Sequence, residues 1–346
     1  MIWGEILGKP KPKRPALLFR GVFPRRKKGE RGMDIQYLLF LQKIREATGG
    51  VLNSFFLQIS DLSYGIFIWM LACVLFWSVD KKSGRFLFLN IGFARFFMQL
   101  LKLTFCVYRP WIRSDQIVPV ETASGYSFPS GHSITATSNY GTVMERYRKH
   151  KPLCIFLGFM IVLTIFSRNY IGVHTPQDVI VGTLLGAVVV VVGAKVWEWI
   201  DEHPEKDWLI PCVGVALTVL FLIYISVKSY PMDYADGKLL VDPEKMKVDG
   251  FKDAGRLLGV TLGWFLERRF VRFSMDVSPI QKVTRASVGV LLLIFIEKCL
   301  TPAVTGAFAS AWTNCLMTFL ELLLLMVVYP LCFSKLEGSG TERVSA

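Results

Sequence analysis

A chain of 346 residues with 52% hydrophobic side chains and a mean hydropathy of +0.42 is too apolar for a soluble domain of its length. Its net charge of +13 misleads: the first 32 residues hold ten Lys or Arg and two Glu, so the remainder, with 30 basic and 25 acidic residues, carries only +5. Composition therefore excludes a soluble enzyme and places the chain in a bilayer, with no nucleic acid expected as a partner.

Residues 1–32 form a basic, proline-bearing tail. The stretch RRKKGERG before Met33 uses residues whose codons can be all-purine, as a translated bacterial ribosome-binding sequence would. Met33 is accordingly expected as the native start, the alternative being a basic tail lying on anionic lipid. In residues 33–60, Gln42, Lys43, Arg45 and Glu46 interrupt the apolar clusters and Gly49 and Gly50 follow, which predicts an amphipathic interfacial helix.

A chemical core is expected over 61–200. Apolar runs at 62–79, 86–101, 153–167 and 179–197 suit a hydrocarbon layer of about 30 Å. Residues 132–146 carry Ser, Thr and Asn on one face and need shelter from lipid. Further spans are expected within 208–335, at 208–227, 254–267, 286–296 and 315–333, followed by a polar tail over 336–346. The prediction is an all-α polytopic bundle of about nine spans. The seven cysteines lie in or beside apolar segments without CxxC spacing and are read as packing residues.

Basic residues fall in alternate loops: Lys81, Lys82 and Arg85; Arg146, Arg148, Lys149 and Lys151; Arg268, Arg269 and Arg272. The positive-inside rule makes those loops cytoplasmic. Three motif-bearing stretches then share the extracytoplasmic face: Lys102 to Pro110, Pro129 to His132 and Ser167 to Asp178. A bacterial inner membrane is the expected location.

Each stretch supplies part of a phosphate site. Lys102 and Arg109 are two helical turns apart and project from one face at the end of a span, where Pro110 stops the helix. A guanidinium suits phosphate because its planar fork binds two oxygens and stays charged; snorkelling to the headgroups would place the same residues there. Ser130 reads as a helix N-cap followed by Gly131 and His132, so first-turn amides face any anion at that end. Thr175, Pro176 and Asp178 read as a capping box. Asp178 also lies four residues after His174, near enough to orient its ring. Arg168 adds a third cation beside Ser167. His150 and His203 fall on the cytoplasmic side and receive no catalytic role.

In this order the motifs resemble those of the type 2 phosphatidic acid phosphatases, membrane lipid phosphatases that share a core with vanadium haloperoxidases. Lys, six residues, Arg-Pro; Pro-Ser-Gly-His; and Ser-Arg, five residues, His, three residues, Asp are all present, at Lys102, Arg109, Pro110, Pro129 to His132, Ser167, Arg168, His174 and Asp178. The resemblance covers about 34–200. It implies a lipid phosphatase using neither metal nor other cofactor, with a lipid phosphate or diphosphate as substrate and the bilayer as partner. It assigns His174 as nucleophile, Asp178 as its orienting partner and His132 as general acid. Lys102, Arg109 and Arg168 would clamp the phosphate, helped by Ser130, Gly131 and Ser167. Two alternatives stand beside it: a phosphotransferase with a lipid or sugar acceptor, and a lipid transporter with a phosphatase-like core. Asp253, Arg256, Glu297, Lys298 and Glu321 in or near late spans would suit the transporter.

Overall fold

The computed structural model describes residues 32–337 apart from Asp236 and Arg272. The expectations for the two tails fall on 1–31 and 338–346, outside the described residues. The chain is helical almost throughout. Its helices are α1 (Met33–Ala47), α2 (Asn53–Leu62), α3 (Ile66–Val74), α4 (Lys81–Phe105), α5 (Pro110–Arg113), α6 (Gly131–Arg146), α7 (Lys151–Tyr170), α8 (Pro176–Glu202), α9 (Leu209–Val227), α10 (Pro243–Phe270), α11 (Pro279–Phe295), α12 (Thr301–Ala307), α13 (Ala311–Leu323) and α14 (Tyr329–Leu336). One small hairpin, β1 (Tyr234–Ala235) with β2 (Lys238–Leu239), lies between α9 and α10.

Among the described residues, six helices are long and apolar enough to cross a membrane, or seven if α2 and α3, bent by 43° at their break, count as one span. That is fewer than the nine expected. Residues 132–146 and 254–267 do form helices, α6 and α10, but α6, with 16 residues, is too short to qualify and α10 is too polar. Both are instead wrapped by apolar neighbours, α6 by α4, α7 and α8, and α10 by α4, α9 and α13.

Segment 33–60 divides in two rather than forming one interfacial helix. Ile35, Leu38, Leu41 and Arg45 make the buried face of α1, at the spacing of an amphipathic helix. That face covers the loop after α5: Arg45 donates to the carbonyls of Tyr170 (3.0 Å) and Val118 (2.5 Å), and Gln42 accepts from the Val118 amide (2.9 Å). Gly49 and Gly50, at φ 60° and 70°, then turn the chain through a conformation that side chains disfavour. Beyond them α2 enters the bundle, with Phe56, Ile59 and Ser60 buried and Ser60 bonded to Ser167 of α7 at 2.7 Å.

The basic loops gather at one end of the bundle. Lys81 and Arg85 pair with Glu267, Arg146 donates to Ser83 (3.1 Å), and Lys82 and Arg268 both approach Asp201 (3.8 Å each). The three motifs meet at the other end. Lipid is as apolar as a leucine core, so helices associate in it mainly by close packing. A Cβ at Gly182 of α8 would lie 2.8 Å from the Ser130 carbonyl oxygen, and one at Gly186 would lie 2.8 Å from that of Ile134. Bare α-carbons there let α8 rest on the backbone of α6, which fixes Asp178 relative to His132.

Candidate active site

The end of α4, the start of α6 and the turn from α7 to α8 converge on one cationic cup. Lys102, one turn before the end of α4, donates from Nζ to the carbonyl oxygens of Tyr126 (2.7 Å) and Ser127 (3.4 Å). It thereby ties the loop ahead of Pro129 to α4. Arg109 does not share the α4 face with Lys102 as expected: α4 ends at Phe105, and Arg109 is extended, directly before the short α5 that Pro110 opens and does not stop. Its guanidinium donates to the carbonyls of Gly125 (3.1 Å), Ser124 (3.0 Å) and Val173 (3.1 Å), and its Nη1 lies 2.9 Å from Nε2 of His174.

The turn over 171–175 sets the second histidine. Val173 and His174 donate their amides to the Arg168 carbonyl (3.2 and 3.3 Å), and Asn169 donates to the His174 carbonyl at 2.9 Å. The expected capping box is present: Thr175 Oγ1 accepts from the Asp178 amide (3.4 Å), and Asp178 Oδ2 accepts from the Thr175 amide (2.8 Å). The same Oδ2 lies 3.5 Å from His174 Nδ1 and accepts from Ser127 Oγ at 2.5 Å. One carboxylate therefore caps α8 and faces the imidazole. With Nδ1 toward Asp178 and Nε2 toward an Arg109 donor, the ring carries its proton on Nδ1 and its lone pair on Nε2. Burial, reinforced by Arg109, Lys102 and Arg168, holds the His174 pKa well below the ordinary histidine value.

Ser130 caps α6 as expected, its Oγ accepting from the Ser133 amide at 3.3 Å, and its own amide donates to the Asp178 carbonyl at 2.9 Å. The first-turn amides of Gly131 and His132 precede the intrahelical ladder and form the positive end of α6. A Cβ at residue 131 would lie 2.8 Å from Met98 Sδ, so glycine is what lets α6 begin against α4. The His132 ring stacks on Tyr64 with centroids 4.3 Å apart and lies within electrostatic reach of Arg168, His174, Arg109 and Lys102.

Arg168 is 1% exposed, yet its Nε and Nη1 have no hydrogen-bond partner. The nearest carboxylate oxygen, on the half-exposed side chain of Glu121, is 4.0 Å from Nη1. A buried guanidinium with two idle donors is costly unless an anion joins it. Ser167 is placed otherwise than expected: its hydroxyl pairs with Ser60 Oγ and donates to the Thr164 carbonyl, both at 2.7 Å. It faces α2 and is spent on helix packing rather than on the cup. Sequence reasoning missed Ser127 and Tyr64, which lie outside the motifs; only the folded loops bring them to the two histidines.

Residues 83–202 match the family model described as "PAP2 superfamily", and residues 251–341 match "PAP2 superfamily phosphatase, transmembrane extension". Among known proteins, the chain is 26% identical over 247 residues to sphingosine-1-phosphate phosphatase 2 of Homo sapiens, covering 64% of this chain and 58% of that one. Phosphatidylglycerophosphatase B of Bacillus subtilis is 34% identical over 93 residues (24% of this chain, 46% of the relative), and undecaprenyl-diphosphatase of Sulfolobus acidocaldarius is 30% identical over 124 residues (35% and 59%). The match thus spans about half the length of each of these relatives. The first match encloses all three motifs and the second the helices packed behind them, so the chain carries a PAP2 superfamily domain over residues 83–202 and that superfamily's transmembrane extension over 251–341.

Proposed function

We propose that this protein is a membrane phosphatase that hydrolyses a lipid phosphate or diphosphate through a phosphohistidine, at the extracytoplasmic face and without a metal ion. The observation that carries the reading is the buried Arg168 with two unpartnered nitrogens, beside an imidazole whose Nε2 holds a lone pair. The activities for which the relatives are named, all on lipid phosphates or a lipid diphosphate, favour the same substrate class. The basic loops at the opposite end favour an outward-facing cup.

In the proposed cycle, phosphate oxygens take the idle donors of Arg168, the amides of Gly131 and His132, and the donors Arg109 now directs at His174. His174 Nε2 attacks phosphorus, forming the P–N bond as the P–O ester bond breaks. The His174 Nδ1 proton stays with the ring, stabilised by Asp178. The leaving oxygen takes a proton from His132, which the negative charge of the bound phosphate keeps protonated among the neighbouring cations, a step worth about 10² to 10⁴ in rate for a well-placed acid. Neutral His132 then takes a proton from water as the water oxygen attacks phosphorus, and P–N cleavage releases phosphate and restores both rings.

Purified protein in detergent with chelator present is expected to release phosphate from a lipid phosphate, to be blocked by vanadate, and to lose activity in His174→Ala. Full activity in His174→Ala would refute the nucleophile. Label passing to a second lipid with little free phosphate would identify a phosphotransferase instead.

A further inference from the structure

His132 is held by a chain of contacts that leads out of the cup. Tyr64, on which it stacks with ring planes 20° apart, sits in the break between α2 and α3, next to Gly65 at φ 66°. The Arg95 guanidinium of α4 lies over the Tyr64 ring, its carbon 5.1 Å from the ring centroid. Arg95 Nε in turn donates to Asp253 Oδ1 of α10 at 2.9 Å, and Arg256 Nη1 donates to the same oxygen at 2.6 Å. Asp253 is 1% exposed. It belongs to the segment matched by the transmembrane extension.

Stability alone does not account for this arrangement. Charges withdrawn into a bundle lose hydration, and a buried ion pair is often no better than well-packed apolar residues of the same volume. Its particular gain is geometric: a planar guanidinium locked by a carboxylate presents one fixed face, which fixes the aromatic ring beneath it. A general acid needs that fixity, since its proton must meet the leaving oxygen in line.

We infer that Tyr64, Arg95 and Asp253 form a strut through which the C-terminal extension positions the His132 ring for proton delivery to the leaving oxygen. All three are positioning residues. The inference rests on the proposed reading of His132 as the acid, and the test separates the two.

The readout is leaving-group dependence. A lipid alkoxide must be protonated as it departs; a nitrophenolate leaves without a proton. Wild type, His132→Ala, Tyr64→Leu, Arg95→Gln and Asp253→Asn are assayed in detergent on a lipid phosphate in steady state, and on nitrophenyl phosphate by the first-turnover burst. Melting temperatures are recorded alongside. Tyr64→Leu removes the stacked ring without changing a charge, so it answers even if a charge variant fails to fold. In the three strut variants kcat on the lipid phosphate is expected to fall by about tenfold or more, within the range a general acid supplies, at unchanged KM and with the nitrophenolate burst nearly unaltered. His132→Ala is expected to show the same split more strongly. Parallel losses on both substrates in the strut variants, or no loss, with the split intact in His132→Ala, would overturn the strut and leave the acid standing. Equal losses in His132→Ala itself would overturn the acid, and the strut with it. A split in Tyr64→Leu and Arg95→Gln but none in Asp253→Asn would refute the involvement of the extension.

Discussion

Replacing Arg168 by Met separates catalysis from stability, because the guanidinium has no satisfied hydrogen bond from Nε or Nη1 to lose. Its nearest carboxylate is half-exposed Glu121 at 4.0 Å, and a pair at that distance whose carboxylate is half in solvent contributes about 0 to 1 kcal/mol. Methionine keeps much of the apolar stem, and removing a poorly paired buried charge lifts a desolvation penalty. The melting temperature in detergent should therefore hold or rise. In the liganded protein the two idle nitrogens become charge-assisted hydrogen bonds to phosphate, each worth about 1.5 to 3 kcal/mol. Together they supply about 3 to 6 kcal/mol to the transition state, so kcat/KM should drop by about 10² to 10⁴. Phosphate release and thermal unfolding, each with and without vanadate, measure both halves. Vanadate should raise the melting temperature of wild type and leave Arg168→Met unmoved. A variant that keeps activity within a few-fold, or melts well below wild type while still responding to vanadate, would show that Arg168 is a structural cation and not a phosphate ligand.

Two further outcomes follow from the same geometry. His174 has its folded pKa below the unfolded value of about 6.5, because burial and then Arg109, Lys102 and Arg168 disfavour its charged form. Stability from keeping it neutral is thus present above about pH 6.5 and lost as pH falls through the folded pKa. Between about pH 7 and 5 the wild type should lose melting temperature faster than His174→Asn, and equal pH slopes would refute the assignment; unfolding without substrate avoids the ionisation of the phosphate ester itself, near pH 6. Gly186→Val should part α8 from α6, since its Cβ would lie 2.8 Å from both the Ile134 carbonyl oxygen and Thr137 Cβ; a clear fall in melting temperature together with activity is expected, and a variant as stable as wild type would show that α6 and α8 pack less closely than described.

The sequence determined the membrane environment, the all-α class and the three motifs that meet in the cup. Long apolar runs leave few other options, and a capping box or an N-cap serine acts within a few residues of itself. For that reason Asp178 and Ser130 were legible one by one, and Asp178 was legible as both cap and partner to His174, whereas Pro110 opens α5 instead of stopping α4, which ends at Phe105. Segment 33–60 was misjudged because local polarity does not reveal that Asn53–Leu62 finds shelter against α7. The hydroxyl of Ser167 faces α2 for the same reason. Ser127, Tyr64, Arg95 and Asp253 were invisible as a group: their partners lie 51, 68, 31 and 158 residues away in the chain. Side chains so far apart meet only where helices cross, and those crossings depend on where glycine lets one backbone touch another, so the tertiary structure alone decided which buried cation keeps idle donors and which ring stacks on His132.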